Sequence, residues 1–198
     1  MIYFRLRDYF SVLCWRVARP WFGRMERGVR IVRPLRIVGA RYCELGNNVT
    51  VQVGAYVAVL PIHADPPALL IGARTMIGNH AHIIVTRRVE FGEAVLTGDR
   101  LYVADNRHTY EDPECPVLDQ GLTQLTDVSI GDGTWIGENV GIIGCRVGRN
   151  CVIGANSLVM RDVPDHCVVV GTPARIIKRY CPDRGGWYRT DPDGGFVK

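Results

Sequence analysis

The 198-residue sequence predicts an all-β fold, a three-sided coil of short strands stacked in parallel. Aliphatic residues return at every sixth position through most of the chain, a period that neither a 3.6-residue helix nor a two-residue strand produces. Small residues (Val49, Ala55, Thr75, Ala81, Thr134, Cys151 and Ser157) fall in the fifth place of these units, and Gly often follows the aliphatic residue. With 47% apolar residues and glycine showing no three-residue period, a disordered or collagen-like chain is excluded, and the length suits one domain.

Taken in order, residues 1–36 precede the repeats. Phe10, Leu13, Cys14 and Val17 stand at helical spacing, flanked by Arg5, Arg7, Arg16 and Arg19, which predicts a basic amphipathic helix. Such an arm has two destinations: an anionic membrane surface, or the coil or a neighbouring subunit. The net charge of +4 is concentrated here, because residues 1–41 hold ten Arg against Asp8 and Glu26, a net +8, while the remainder is −4. That asymmetry disfavours a nucleic-acid partner along the whole chain.

The repeats run through Leu45, Val51 and Val57, then Ile71, Ile77 and Ile83, then Phe91, Thr97 and Val103. They resume at Ile130, Ile136 and Ile142, and continue through Val147, Ile153 and Val159. Six residues make one flat side of a prism: the aliphatic residue points inward, the fifth residue fits beside it, and Gly relieves crowding at the corner. Asn or Asp two places after that Gly is expected to take the left-handed corner angles. Thr97 in an aliphatic slot and the five-residue step from Ile142 to Val147 are faults that a corner can absorb.

Between Val103 and Val128 the period stops, and residues 105–127 form an inserted loop of a length that is usually functional or disordered. The seven cysteines are odd in number, scattered and without a Cys-x-x-Cys pair, so a disulfide framework or zinc site is not expected and a reducing cytoplasm is the natural compartment. No signal peptide is expected either, since arginines interrupt the first apolar stretch.

The run of IGDGTW, IGENVG, VGRNCV and IGANSL units, followed by VMRDVPDHCVVVGTPARIIKRY, resembles the bacterial hexapeptide-repeat acyltransferases over roughly residues 37–180. That resemblance implies a left-handed parallel β-helix, usually a homotrimer with active sites between subunits. It also implies acetyl-CoA as donor, with no metal. Signature and family place a short C-terminal helix after the Gly171–Ala174 turn, with Thr172 and Pro173 at its start and Pro182 at its stop, so that Arg175 and Lys178 share one helical face. The expected organisation is a basic arm at 1–36, a β-helix at 37–171 interrupted by the loop 105–127, and a helix and tail at 172–198.

The loop segment DNRHTYEDP resembles the DHNHSYEDP-like segment of O-acetyltransferases acting on bacterial surface sugars, and more distantly the HPLDP segment of maltose and nodulation-factor acetyltransferases. The resemblance makes His108 the catalytic base, with Asn106 and Arg107 replacing residues of that pattern. Imidazole, with a pKa near ~6.5, suits removal of a hydroxyl proton at neutral pH. By the same resemblance Asn79 and Asp105 belong to the acceptor site, and Asp105, Glu111 or Asp112 is a candidate to orient the imidazole. The donor would be held by Gly137, Glu138, Ala155, Met160, Arg161, Arg175 and Lys178, and backbone N–H groups near Gly137 are candidates for the oxyanion site.

The function this implies is an O-acetyltransferase acting on a sugar hydroxyl in surface polysaccharide biosynthesis, in the cytoplasm or at the inner face of the membrane. Another small acceptor such as a sugar amine, an antibiotic or an amino acid is the alternative. Less favoured are an acyl-enzyme at Cys115, a non-catalytic scaffold, and a zinc site like that of the β-helical carbonic anhydrases. His63, His80, His82, His108 and His166 do not reproduce the ligand spacing of that last family.

Overall fold

The computed structural model describes residues 2–191 and 194–197, with side chains described from residue 6. Arg5 as a flank of the expected helix therefore lies outside the described side chains, and residues 192, 193 and 198 of the expected tail lie outside the described residues.

The repeated aliphatic positions lie in register on three parallel sheets that the chain visits in rotation. On the first face Met25, Leu45, Ile71, Phe91, Ile130 and Val147 stack in turn. On the third face Ile37, Val57, Ile83, Val103, Ile142 and Val159 do the same. The second face carries Ile31, Val51 and Ile77 in one run, and Thr97, Ile136, Ile153 and Val169 in the next. Among the described residues the sheets hold six, nine and six strands. Their inward side chains form one apolar column that includes the small fifth-place residues, every one of them buried.

The corners turn at the expected place, two residues after the Gly, although Arg, His and Ala fill it as well as Asn. The left-handed residue is the third after the aliphatic position, as at Asn48, Arg74, His80, Ala94, Arg100, Asn139, Asn150 and Asn156. The Asn or Asp one place earlier uses its side chain to receive a backbone N–H from the preceding coil. Asn47 accepts from Arg27, Asp99 from Asn79, Asp132 from Glu93 and Asp165 from Arg149, at 2.7–3.2 Å. A short acceptor is selected at that place because it satisfies a donor that parallel stacking leaves unpaired.

Both register faults are absorbed locally. The Thr97 hydroxyl accepts the Gly78 N–H at 2.9 Å and donates to the Gly98 carbonyl, so it tolerates its buried slot. In the short step, Gly144 takes φ +55° and Cys145 turns into the core.

Two boundaries are corrected. Parallel pairing begins at Arg24–Met25, ahead of the expected start at residue 37. The expected C-terminal helix is a strand, Arg175–Cys181, which runs antiparallel to Cys167–Val170 and pairs in turn with Gly186–Arg189. Thr172 and Pro173 sit in the reversal, not at a helix start. The last coil leaves an open strand edge, and the β-branched pair Ile176–Ile177 suits pairing on that edge better than an exposed helix.

The N-terminal helix α1, Ile2–Val17, lies on the first coils. The Ser11 hydroxyl donates to the Ile31 carbonyl at 3.3 Å and accepts the Arg33 N–H at 2.8 Å, Asp8 pairs with Arg33 at 2.6 Å, and Trp15 meets Phe22 edge-on.

Candidate functional site

The inserted loop leaves the third face after Tyr102–Ala104 and is organised by a buried acid. Asp105 is fully buried, and its carboxylate accepts the backbone N–H groups of Thr86, Arg87 and Arg88, the Thr86 hydroxyl and the Asn106 amide. Gln124 closes the base from the other side. Its amide donates to the Asp105 carbonyl at 2.6 Å, and its oxygen receives the Thr86 hydroxyl and contacts His63 Nε2, each at 2.8 Å. Between these clamps Asn106–His108 and Leu122–Gln124 form an antiparallel hairpin, with His108 opposite Leu122.

His108 is exposed on this hairpin, and its imidazole makes no hydrogen bond within the described residues. None of the expected orienting carboxylates reaches it. Glu111 bonds the Arg107 guanidinium and the Tyr110 N–H, and the Arg107 hydrogen bond holds its carboxyl below the usual carboxylate range. Asp112 receives the Glu114 N–H, and Gln120 ties the loop tip together through the Asp112 and Cys115 carbonyls. Asp105 is likewise removed from the acceptor site, because both of its oxygens are engaged beneath the surface. The residue is held in place through its backbone, and neither ring nitrogen has a hydrogen bond among the described residues.

The remaining expected residues fall on two corner columns that flank the third face. Asn79, Gly137, Glu138 and Ala155 stand where the chain turns from the second face to the third; the His108 hairpin, Met160 and Arg161 stand where it leaves the third for the first. Asn79 is fastened to Asp99 through its N–H and its amide at 2.8–3.1 Å, so its side chain serves the corner. Gly137 is buried and its N–H donates to the Ile153 carbonyl at 2.8 Å, so it offers no donor to an oxyanion. A Cβ there would lie 2.6 Å from the Ala155 nitrogen, which explains the glycine by coil stacking. Glu138 is exposed and paired with Arg100, and Ala155 is exposed on the next coil.

Met160, Arg161 and Arg175 do come together. With Asp162, Pro173 and Ala174 they line a cleft of 350 Å³ at the open end of the coil. Lys178 is not part of that lining, but it shares a face with Arg175 for a reason other than helical spacing. Arg175 opposes Val170 and Lys178 opposes Val168, because a bulge near Ile177 adds the residue that returns both to the outward side.

Several participants were not foreseen from spacing alone. Gln124, Thr86 and His63 build the loop base, yet none lies in a motif; the only available signal was that polar residues occupy the ends of a non-repeating segment. Between the two corner columns Tyr56, His82 and Tyr102 form an aromatic ladder, with ring centroids 4.7 and 5.7 Å apart. The chemistry available to Cys115 is slight, since its thiol only approaches the Pro116 carbonyl at 3.7 Å. Burial pushes the thiols of Cys43 and Cys145 up to about 12 and that of Cys167 to about 11, far from a thiolate at neutral pH. No three His, Cys, Asp or Glu side chains converge on a common point among the described residues.

Residues 127–161 match the family model described as bacterial transferase hexapeptide, six repeats. Hexapeptide units continue in register on both sides of the matched stretch, from Met25 to Val169. A Mycobacterium tuberculosis protein named as an acetyltransferase, Rv3034c, is 35% identical over 118 residues, which is 59% of this chain. The match spans only 39% of that relative's length. WbbJ of Escherichia coli, named as a lipopolysaccharide biosynthesis O-acetyl transferase, is 28% identical across 81% of this chain and 84% of its own. Among solved structures, the N-acyltransferase AntD from Bacillus cereus, in complex with dTDP and 3-hydroxybutyryl-CoA, superposes with a TM-score of 0.68 over 86% of this chain and 90% of its own. At 18% identity that likeness speaks for the hexapeptide fold alone.

Proposed function

We propose that the protein is an acetyl-CoA-dependent O-acetyltransferase that acylates a sugar hydroxyl in surface polysaccharide biosynthesis, with His108 as general base. The observation that carries this reading is an exposed imidazole without hydrogen-bond partners among the described residues, presented on a hairpin whose base is fixed by the buried Asp105. His108 takes the acceptor proton as the hydroxyl oxygen bonds to the thioester carbonyl. Collapse of the tetrahedral intermediate breaks the C–S bond, and the imidazolium returns its proton to the departing thiolate. Arg161 and Arg175, beside Met160 in the terminal cleft, supply charge for the coenzyme phosphates, and Lys178 extends the same basic edge. The name carried by WbbJ supports the saccharide acceptor and the hydroxyl.

The coil is a left-handed β-helix in this reading, and the active unit is a homotrimer with its sites between subunits. Two features support that assembly. The candidate residues of one chain divide between corner columns, and the outer side of the second face exposes an apolar row, Met76, Leu96 and Trp135, in register. The reaction is assigned to the cytoplasm, near the inner membrane face when the acceptor is lipid-linked.

Thiol release from acetyl-CoA, followed with a panel of nucleotide sugars, oligosaccharides and amino sugars, tests the proposal. Acceptor-dependent release by the wild type and its loss in His108→Ala are expected. Equal rates in the two proteins would overturn the role of His108, and turnover of amino sugars alone would move the reaction to nitrogen.

A further inference from the structure

The apolar side of α1 is turned away from the protein. At 100° per residue, Leu6, Phe10, Leu13 and Val17 fall in one stripe within about 60° of each other. They are 69%, 66%, 47% and 76% exposed. Asp8, Ser11 and Trp15, which attach the helix to the first coils, lie on the opposite side. Trp21, in the turn that follows, is 74% exposed as well. A helix of this kind, left uncovered, exposes more large apolar side chains than a soluble surface ordinarily carries in one place.

The charge around the stripe identifies what covers it. Arg16 lies on one flank of the stripe and Arg19 just beyond the helix end. Both acidic residues of the first 41 are already paired, Asp8 with Arg33 and Glu26 with Arg24, and neither Arg16 nor Arg19 has an ion pair among the described residues. A second copy meeting this surface through its own arm would set +8 against +8. No described helix is long and apolar enough to cross a bilayer. We infer that α1 and Trp21 dock the protein on an anionic phospholipid surface, with the apolar stripe in the headgroup–acyl boundary and the arginines on lipid phosphates. The inference is independent of acetyl transfer.

Flotation of the full chain with phosphatidylcholine vesicles, and with the same vesicles containing phosphatidylglycerol, reads this directly. Binding to the anionic vesicles that weakens with added salt is expected, with little binding to neutral ones. Removing arm charge by Arg16→Gln or Arg19→Gln should weaken partitioning roughly five-fold per arginine, and Phe10→Glu/Leu13→Glu should abolish it. These side chains are exposed, so circular dichroism should show unchanged folding. Failure of the wild type to bind anionic vesicles, equal binding to neutral ones, or undiminished binding by the double variant would each overturn the inference. If the double variant instead reduces the size of the particle in sedimentation while vesicles are ignored, the stripe is covered by a second copy and the lipid assignment is wrong.

Discussion

Asp105 gathers five donors around one buried carboxylate, three of them backbone N–H groups of the Thr86–Arg88 corner. Its truncation would strand those donors, so Asp105→Ala should cost about 3 kcal/mol, measured by chemical denaturation. Turnover should fall with it as the hairpin loosens, while acetyl-CoA affinity stays near the wild-type value. His108→Ala is the converse case. The residue is exposed and its ring makes no hydrogen bond among the described residues, so stability should change by less than about 0.5 kcal/mol while turnover drops by roughly 10²–10⁴-fold. At this scale the sequence was readable in part: the motif around His108 marked the residue, but an Asp three places earlier looks the same whether it faces substrate or caps a corner. Only the fold, which brings residues 86–88 beneath it, separates the two.

Individual elements respond mainly to stacking. A methyl added by Gly137→Ala would press on the Ala155 backbone nitrogen, which no rotamer can relieve, and should destabilise by about 1–3 kcal/mol in thermal unfolding. The corner acids give a pH signature. The Asp165 carboxylate accepts the Arg149 N–H, and this bond first of all, with the Arg149 charge, holds its pKa below the normal value. A group lowered in the folded state contributes stability that is present above the unfolded carboxylate pKa and lost as pH falls through the folded one. Asp165→Asn should therefore flatten the acid limb of the melting-temperature profile and leave the neutral region nearly parallel. The C-terminal strand shows where element-level reading misled. Arg175 to Cys181 carries helix-compatible residues, and its conformation is decided by the unpaired edge of Cys167–Val170 beside it.

For the whole molecule, the coil accounts for the core and leaves two apolar surfaces unused, the row on the second face and the stripe on α1. If the first of these joins subunits in the proposed trimer, Leu96→Glu should convert it to smaller species in sedimentation velocity and reduce turnover by at least about ten-fold, because a site shared between two chains would come apart. A monomeric wild type with full turnover would exclude that assembly.

Periodicity by itself determined the coil, because a six-residue recurrence of aliphatic and small side chains has a single way to bury both, and the stacked registers from Met25 to Val169 follow it. It also determined that residues 105–127 leave the coil, while His108 was marked by the resemblance of its motif. What only the tertiary structure decided was polar and topological: which acid is buried under the loop, which corner each expected residue occupies, and whether the chain end closes as helix or strand. The physical reason is the same in each case. Apolar burial repeats along the sequence and can be counted there, whereas hydrogen-bond partners 17–40 residues apart and a free sheet edge exist only after the coils have stacked.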